Sequence, residues 1–207
     1  MIQEHTKEQV EQIIEPYINT LRTCVLDAWQ SWRQSDHASH LHWKTVMGNA
    51  MCNYFLKEAM HNFYAQSAHV RVSTKQPYVG LYIASALYVR LKKGKHSLKT
   101  SNVQTKSAKS FHDKSISIPS LEGLTRLELV YVPSKDLFDI ERIMLVSKNL
   151  GRIDWTIDLL EQAQPEQTNL EMFVQPEPQG TAAQRVIKKK GGTSDERKQL
   201  SAGKGGS

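Results

Sequence analysis

The chain has 207 residues, of which 39% are hydrophobic and 23% charged, with a formal net charge of +6 at pH 7. That is long enough to bury a substantial core and excludes the fully disordered, collagen-like and disulfide-stapled classes. No run approaches the roughly eighteen apolar residues of a membrane span, residues 1–8 do not resemble a secretory leader, and two cysteines are too few for a disulfide framework. A cytoplasmic protein with no membrane contact is therefore expected.

Thr6, Lys7, Glu8 and Gln9 have the spacing of a capping box, in which a hydroxyl and a side-chain amide satisfy free amide hydrogens at a helix start. Val10, Ile14, Tyr17, Leu21, Cys24, Val25, Ala28 and Trp32 then recur every three to four residues, so a helix is predicted, interrupted at Pro16. Glu4, Glu8, Glu11 and Glu15 share another face, an acidic stripe that reads as a solvated surface or a docking site for a protein partner. After a polar turn at residues 34–39, residues 41–66 carry a second helical pattern with Met47, Met51, Phe55, Ala59 and Phe63 in register. Trp29, Trp32, Trp43 and Trp155 read as core anchors.

From residue 68 the period changes to two. Val70 and Val72 alternate with His69, Arg71 and Ser73, and residues 78–91 read as one long strand bent near Gly80 or Ala84. A short return strand is predicted at Ile116 and Ile118. Residues 124–132, LTRLELVYV, read as a strand buried on both faces, followed by strands over 140–147 and 152–159 joined through a turn at Gly151. Beyond residue 163 lie three of the seven prolines and six of the eleven glycines, which predicts a disordered basic tail. Within it, residues 170–174 form an apolar island suited to a protein partner or to docking on the body.

The charge is unevenly placed. Residues 92–114 hold seven lysines, Lys92, Lys93, Lys95, Lys99, Lys106, Lys109 and Lys114, against the single acid Asp113, while the tail adds Lys188, Lys189 and Lys190. The composition of this stretch, mostly Ser, Thr, Asn and Lys, predicts a solvated loop. Lysines gathered on such segments suit a polyanion, so nucleic acid, DNA or RNA, is the expected partner.

No motif fixes a reaction. Nucleotide-binding glycine loops and hydrolase elbows are missing, so no cofactor is expected. Asp36, His37, His40 and His42 combine imidazole and carboxylate chemistry, but they match no standard zinc spacing and read as a polar turn without metal. Arg33 and His40, with six residues between them, resemble the Arg-x(4–6)-His motif of HEPN-type ribonucleases. That family is all-helical and residues 68–159 read as strand, so its activity is not carried over. For a nuclease, Asp154, Asp158 and Glu128 are the candidate metal-holding carboxylates, and His96 and His112 the candidate acid and base.

The sequence thus predicts an α+β domain over residues 1–162, with two N-terminal helices (about 6–66) packed on a mainly antiparallel sheet of about five strands (about 68–160). The lysine-rich loop spans 92–114 and a flexible tail spans 163–207. The expected function is nucleic-acid-associated binding or regulation through the basic segments. A noncatalytic inhibitor or adaptor is the alternative, and a small nuclease is the enzyme alternative.

Overall fold

The fold is taken from a computed structural model, which describes residues 4–40, 44–66, 68–100 and 105–161. The capping box is formed: the Gln9 amide donates to Thr6 Oγ1, and the Thr6 amide donates to Gln9 Oε1 at 2.9 Å. It opens α1 (Lys7–Ile14), and Pro16 falls in a 3₁₀ turn (Glu15–Tyr17) that separates α1 from α2 (Ile18–Gln34). A short α3 (Asp36–His40) and a long α4 (Lys44–Asn62) follow. The apolar stripe of α2 buries Leu21, Cys24, Val25, Ala28, Trp29 and Trp32, and α4 packs against α2. Burial pushes the Cys24 thiol up to about 11, consistent with a small apolar core residue.

Six strands make one sheet: β1 (Val70–Ser73), β2 (Gly80–Ile83), β3 (Leu87–Lys93), β4 (Thr125–Pro133), β5 (Ile140–Asn149) and β6 (Arg152–Asp158). Their spatial order is their order in the chain, and every neighbouring pair is antiparallel except β3 and β4. The protein is therefore α+β, and the sheet has six strands where about five are expected. Residues 78–91 form two strands rather than one, while the return strand expected at Ile116 and Ile118 does not form. The chain reverses at Ala84 and Ser85, whose φ values of 51° and 53° lie in the left-handed region. Neither is the Gly or Asn that ordinarily marks such a turn, so the sequence suggests a bend near Ala84 but not the full reversal. The β5–β6 turn does follow the expected chemistry, with Leu150 at φ 48° and Gly151 at φ 81°.

Both faces of the sheet are covered. Leu81, Val89, Leu127, Leu129, Ile143 and Leu145 meet the helices in the main core, where Trp155 is only half-buried. The opposite face is covered by the described parts of the connection between β3 and β4, residues 94–100 and 105–124, which include α5 (Lys106–His112). This explains why β4 is buried from Thr125 through Val132, as its sequence predicts.

The lysine-rich stretch is thus no solvated loop over its described residues. Leu98 packs on Val130, Val132, Met144 and Val146, while Phe111, Ile118 and Leu121 pack on Tyr88. A few apolar side chains suffice because the sheet offers them a ready surface, a term that average composition does not contain. Gly94 lets this segment lie close: a Cβ there would sit 2.4 Å from Val130 Cγ1. The expected return strand at Ile116 and Ile118 is instead irregular chain leading into a 3₁₀ turn (Pro119–Leu121).

The expected tail, with Lys188, Lys189, Lys190 and residues 170–174, lies outside the described residues, as do His42 and Trp43. Among the described residues, no helix is long and apolar enough to cross a membrane. The folded connection gives a direct test. Phe111→Ala should destabilise the protein by about 3–5 kcal/mol in urea denaturation, whereas a solvated loop would register almost nothing.

Candidate functional site

Alternation along β3, β4 and β5 that buries leucine and isoleucine against the helices turns Arg90, Glu128 and Lys148 to the connection side. Glu128 lies at the centre, with a side chain 1% exposed. One carboxylate oxygen, Oε1, accepts from Arg90 Nη2 at 2.7 Å and Nε at 3.2 Å; the other, Oε2, accepts from Lys148 Nζ at 2.6 Å and Thr100 Oγ1 at 3.1 Å. Lys148 also donates to Thr100 Oγ1 at 3.0 Å and to the Leu98 carbonyl at 3.2 Å. Leu98 holds that carbonyl in place from a left-handed backbone conformation, φ 57°, which for a non-glycine residue costs about 1–2 kcal/mol.

His112 closes the cluster from α5. Its Nε2 is 2.9 Å from Arg90 Nη2 and 3.4 Å from Glu128 Oε1. An arginine can only donate, so the imidazole nitrogen accepts, and the ring is neutral with its proton on Nδ1. Burial holds the His112 pKa down to about 4; Glu128 opposes this, while Arg90, Lys148 and Lys92 reinforce it. For Glu128, burial alone would raise the carboxyl, but Arg90 and Lys148 outweigh it and hold the pKa near 2. Arg90 also lies over the Phe111 ring, 3.6 Å from its centroid. From the same face of β4, Arg126 donates to the carbonyls of Ser110 (2.8 Å) and Asp113 (3.0 Å), fixing the end of α5.

Beside this cluster a cleft of about 870 Å³ opens between the connection and the β5–β6 turn. Lys148 and His112 line its inner side, and Lys99, Lys109 and Arg152, all exposed, line its rim. Its apolar walls come from Leu98, Ile116, Leu150 and Ile153. The hydrogen bond from the Leu150 amide to the His112 carbonyl, 2.6 Å, ties the two sides together.

The basic residues singled out by sequence divide into two sets. Lys95, Lys99, Lys106 and Lys109 are exposed on the connection. The other three have structural partners or burial. Lys92 is half-buried on β3, with its pKa lowered by burial and by Arg90. Lys93 reaches Met47 Sδ at 3.3 Å, and Lys114 bridges Glu4 (2.5 Å) and Asp154 (2.7 Å) while donating to Ser147 Oγ (2.9 Å). Glu4 accordingly leaves the acidic stripe, Glu11 pairs with Lys7, and Glu8 and Glu15 remain exposed.

Of the candidate catalytic residues, the structure brings Glu128 and His112 together, 3.4 Å apart in the buried cluster, while Asp154, Asp158 and His96 have separate partners. Asp154 pairs with Lys114, Asp158 accepts from the Leu160 amide at 2.9 Å, and Glu128 belongs to the buried cluster. His96 pairs with Glu141 at 2.9 Å, away from the Glu128 partners of His112. His37 and His40 are exposed on α3, and no group of three or more His, Cys, Asp or Glu side chains gathers to hold a metal among the described residues. Arg33 donates to the Phe138 carbonyl at 2.7 Å and lies over that ring. Sequence reasoning missed Arg90, Thr100, Lys148 and Arg152.

No family model, curated protein or solved structure matches the chain.

The buried cluster makes stability sensitive to acid in two steps. His112 has a folded pKa below its ordinary 6.5, so the stability from keeping it neutral is complete above 6.5 and is lost as pH falls toward 4. Glu128 has a folded pKa below its ordinary 4.5, so its contribution is lost as pH falls from there toward 2. Urea midpoints measured against pH should decline across both windows. His112→Asn should flatten the upper window and leave the lower one. Glu128→Gln, which strands two buried cations, should cost about 3–5 kcal/mol at neutral pH.

Proposed function

We propose that this is a nucleic-acid-binding protein that holds phosphate through the connection between β3 and β4. The observation that carries this reading is the placement of Lys95, Lys99, Lys106 and Lys109, exposed on a segment pinned to the sheet by Leu98 and Phe111. Lysines on an anchored segment lose less freedom on meeting a polyanion than lysines on a free loop, so more of the Coulomb attraction is retained as affinity. Arg152, across the cleft from Lys109, extends the cationic surface to the β5–β6 turn. Phosphate contact of this kind supplies affinity without base specificity.

The four lysines serve this role best because they spend little on the fold. Lys92, Lys93 and Lys114 are engaged within the structure, so they contribute less to a phosphate surface than their number in the sequence implies. The full chain is expected to bind single- or double-stranded nucleic acid with an affinity that falls as salt rises, each neutralised phosphate releasing counterions. Changing Lys95, Lys99, Lys106 and Lys109 together to Gln should weaken binding across unrelated sequences. The log–log salt slope should flatten by about one unit per lost contact on duplex DNA, with the urea midpoint nearly unchanged. Unaltered affinity and slope in fluorescence anisotropy would remove the connection as the phosphate-binding surface.

A further inference from the structure

We propose that the cleft between the connection and the β5–β6 turn is a site for a single nucleoside monophosphate unit, either free or at the end of a strand. The inference rests on the phosphate-binding reading above and adds to it a site with a defined shape. Ligand pockets span roughly 300–1,000 Å³, and this cleft is about 870 Å³. Its charge selects the ligand. Lys99, Lys109, Lys148 and Arg152 line it against one carboxylate, Asp113, which itself accepts from the Ser115 hydroxyl and amide. Behind it, Arg90 pairs with Glu128, whose carboxylate also holds Lys148, so cations still outnumber carboxylates when the lining and the cluster are counted together.

A phosphate alone would not use the rest of the lining. Leu98, Ile116, Leu150 and Ile153 give the cleft apolar walls that suit the faces of a flat heterocycle, while inorganic phosphate would leave them wetted. The pairing of cationic rim with apolar wall therefore favours a phosphate joined to a base. The inner end is fixed in place: Lys148 spends its three N–H donors on Glu128, Thr100 and the Leu98 carbonyl and so offers the cleft charge rather than a hydrogen bond, and Arg126 fixes the end of α5 that carries His112. Little rearrangement is then needed on binding.

The test is titration calorimetry of the full chain with adenosine 5′-monophosphate, adenosine and inorganic phosphate, beside anisotropy with an oligonucleotide bearing a 5′-phosphate or a 5′-hydroxyl. Adenosine 5′-monophosphate should bind at least about tenfold more tightly than either fragment. Two variants probe the cleft in different ways: Ile153→Trp fills it from a position already 41% exposed, and Lys109→Gln with Arg152→Gln removes rim charge. Each should weaken nucleotide binding about tenfold or more while the urea midpoint holds. Preference for the 5′-phosphate oligonucleotide identifies strand ends as a source, and equal binding of the two oligonucleotides with tight binding of the monophosphate identifies the free nucleotide. The absence of nucleotide binding at millimolar concentration, or binding unchanged in both variants, overturns the proposal. Lys95→Gln with Lys106→Gln, outside the cleft lining, separates the two readings. If it weakens polymer binding while the monophosphate fails to bind, the cleft assignment falls and the phosphate surface stands; the reverse result rejects the surface and keeps the cleft.

Discussion

A carboxylate almost wholly removed from water organises one side of this protein. Desolvating Glu128 is tolerable only because Arg90, Lys148 and Thr100 arrive together to satisfy both its oxygens. These partners come from β3, β5 and the connection, so the charge cluster ties the central strands to the segment that crosses them. His112 is the adjustable member: kept neutral by burial, with the surrounding cations reinforcing it, it accepts from Arg90 and adds no further charge to a site already rich in it.

The two faces of the sheet consequently obey different physics. Toward the helices, cohesion comes from apolar area and shape, with Leu127, Leu129 and Leu145 in one continuous core. Toward the connection, two smaller apolar groups, one around Leu98 and one around Phe111, flank the charged centre. That arrangement lets a lysine-rich segment hold a fixed position while leaving Lys95, Lys99, Lys106 and Lys109 in water. Order and solubility are divided between different residues of the same stretch.

Much of the fold could be read from the sequence, and the reasons are local. The capping box at Thr6, the break at Pro16, the doubly buried β4 and the turn at Gly151 each depend on residues close in the chain. The division of residues 78–91 was hidden because Ala84 and Ser85 adopt a conformation their side chains do not advertise. The site was less legible. Glu128 in a strand buried on both faces signals a paired charge, but nothing local says with what: Arg90 reads as the polar side of an alternating strand, and Lys148 as the start of a hairpin turn. Thr100 and His112 reach Glu128 only through tertiary structure. Composition also misjudged the connection, since it averages Leu98 and Phe111 with the polar residues around them and omits the surface they find.

The Arg90–Glu128–Lys148 arrangement also constrains how this sequence can vary. On the helix-facing side, a leucine exchanged for isoleucine is absorbed by its immediate neighbours, and distant changes add independently. In the charged layer, the effect of each replacement depends on which partners remain, so single steps are costly while a joint exchange of the whole set for apolar residues of similar volume would be tolerated or even stabilising. Thermostability alone would thus not select such a layer. Its members form one energetic unit, separated from an all-apolar alternative by intermediates less stable than either end.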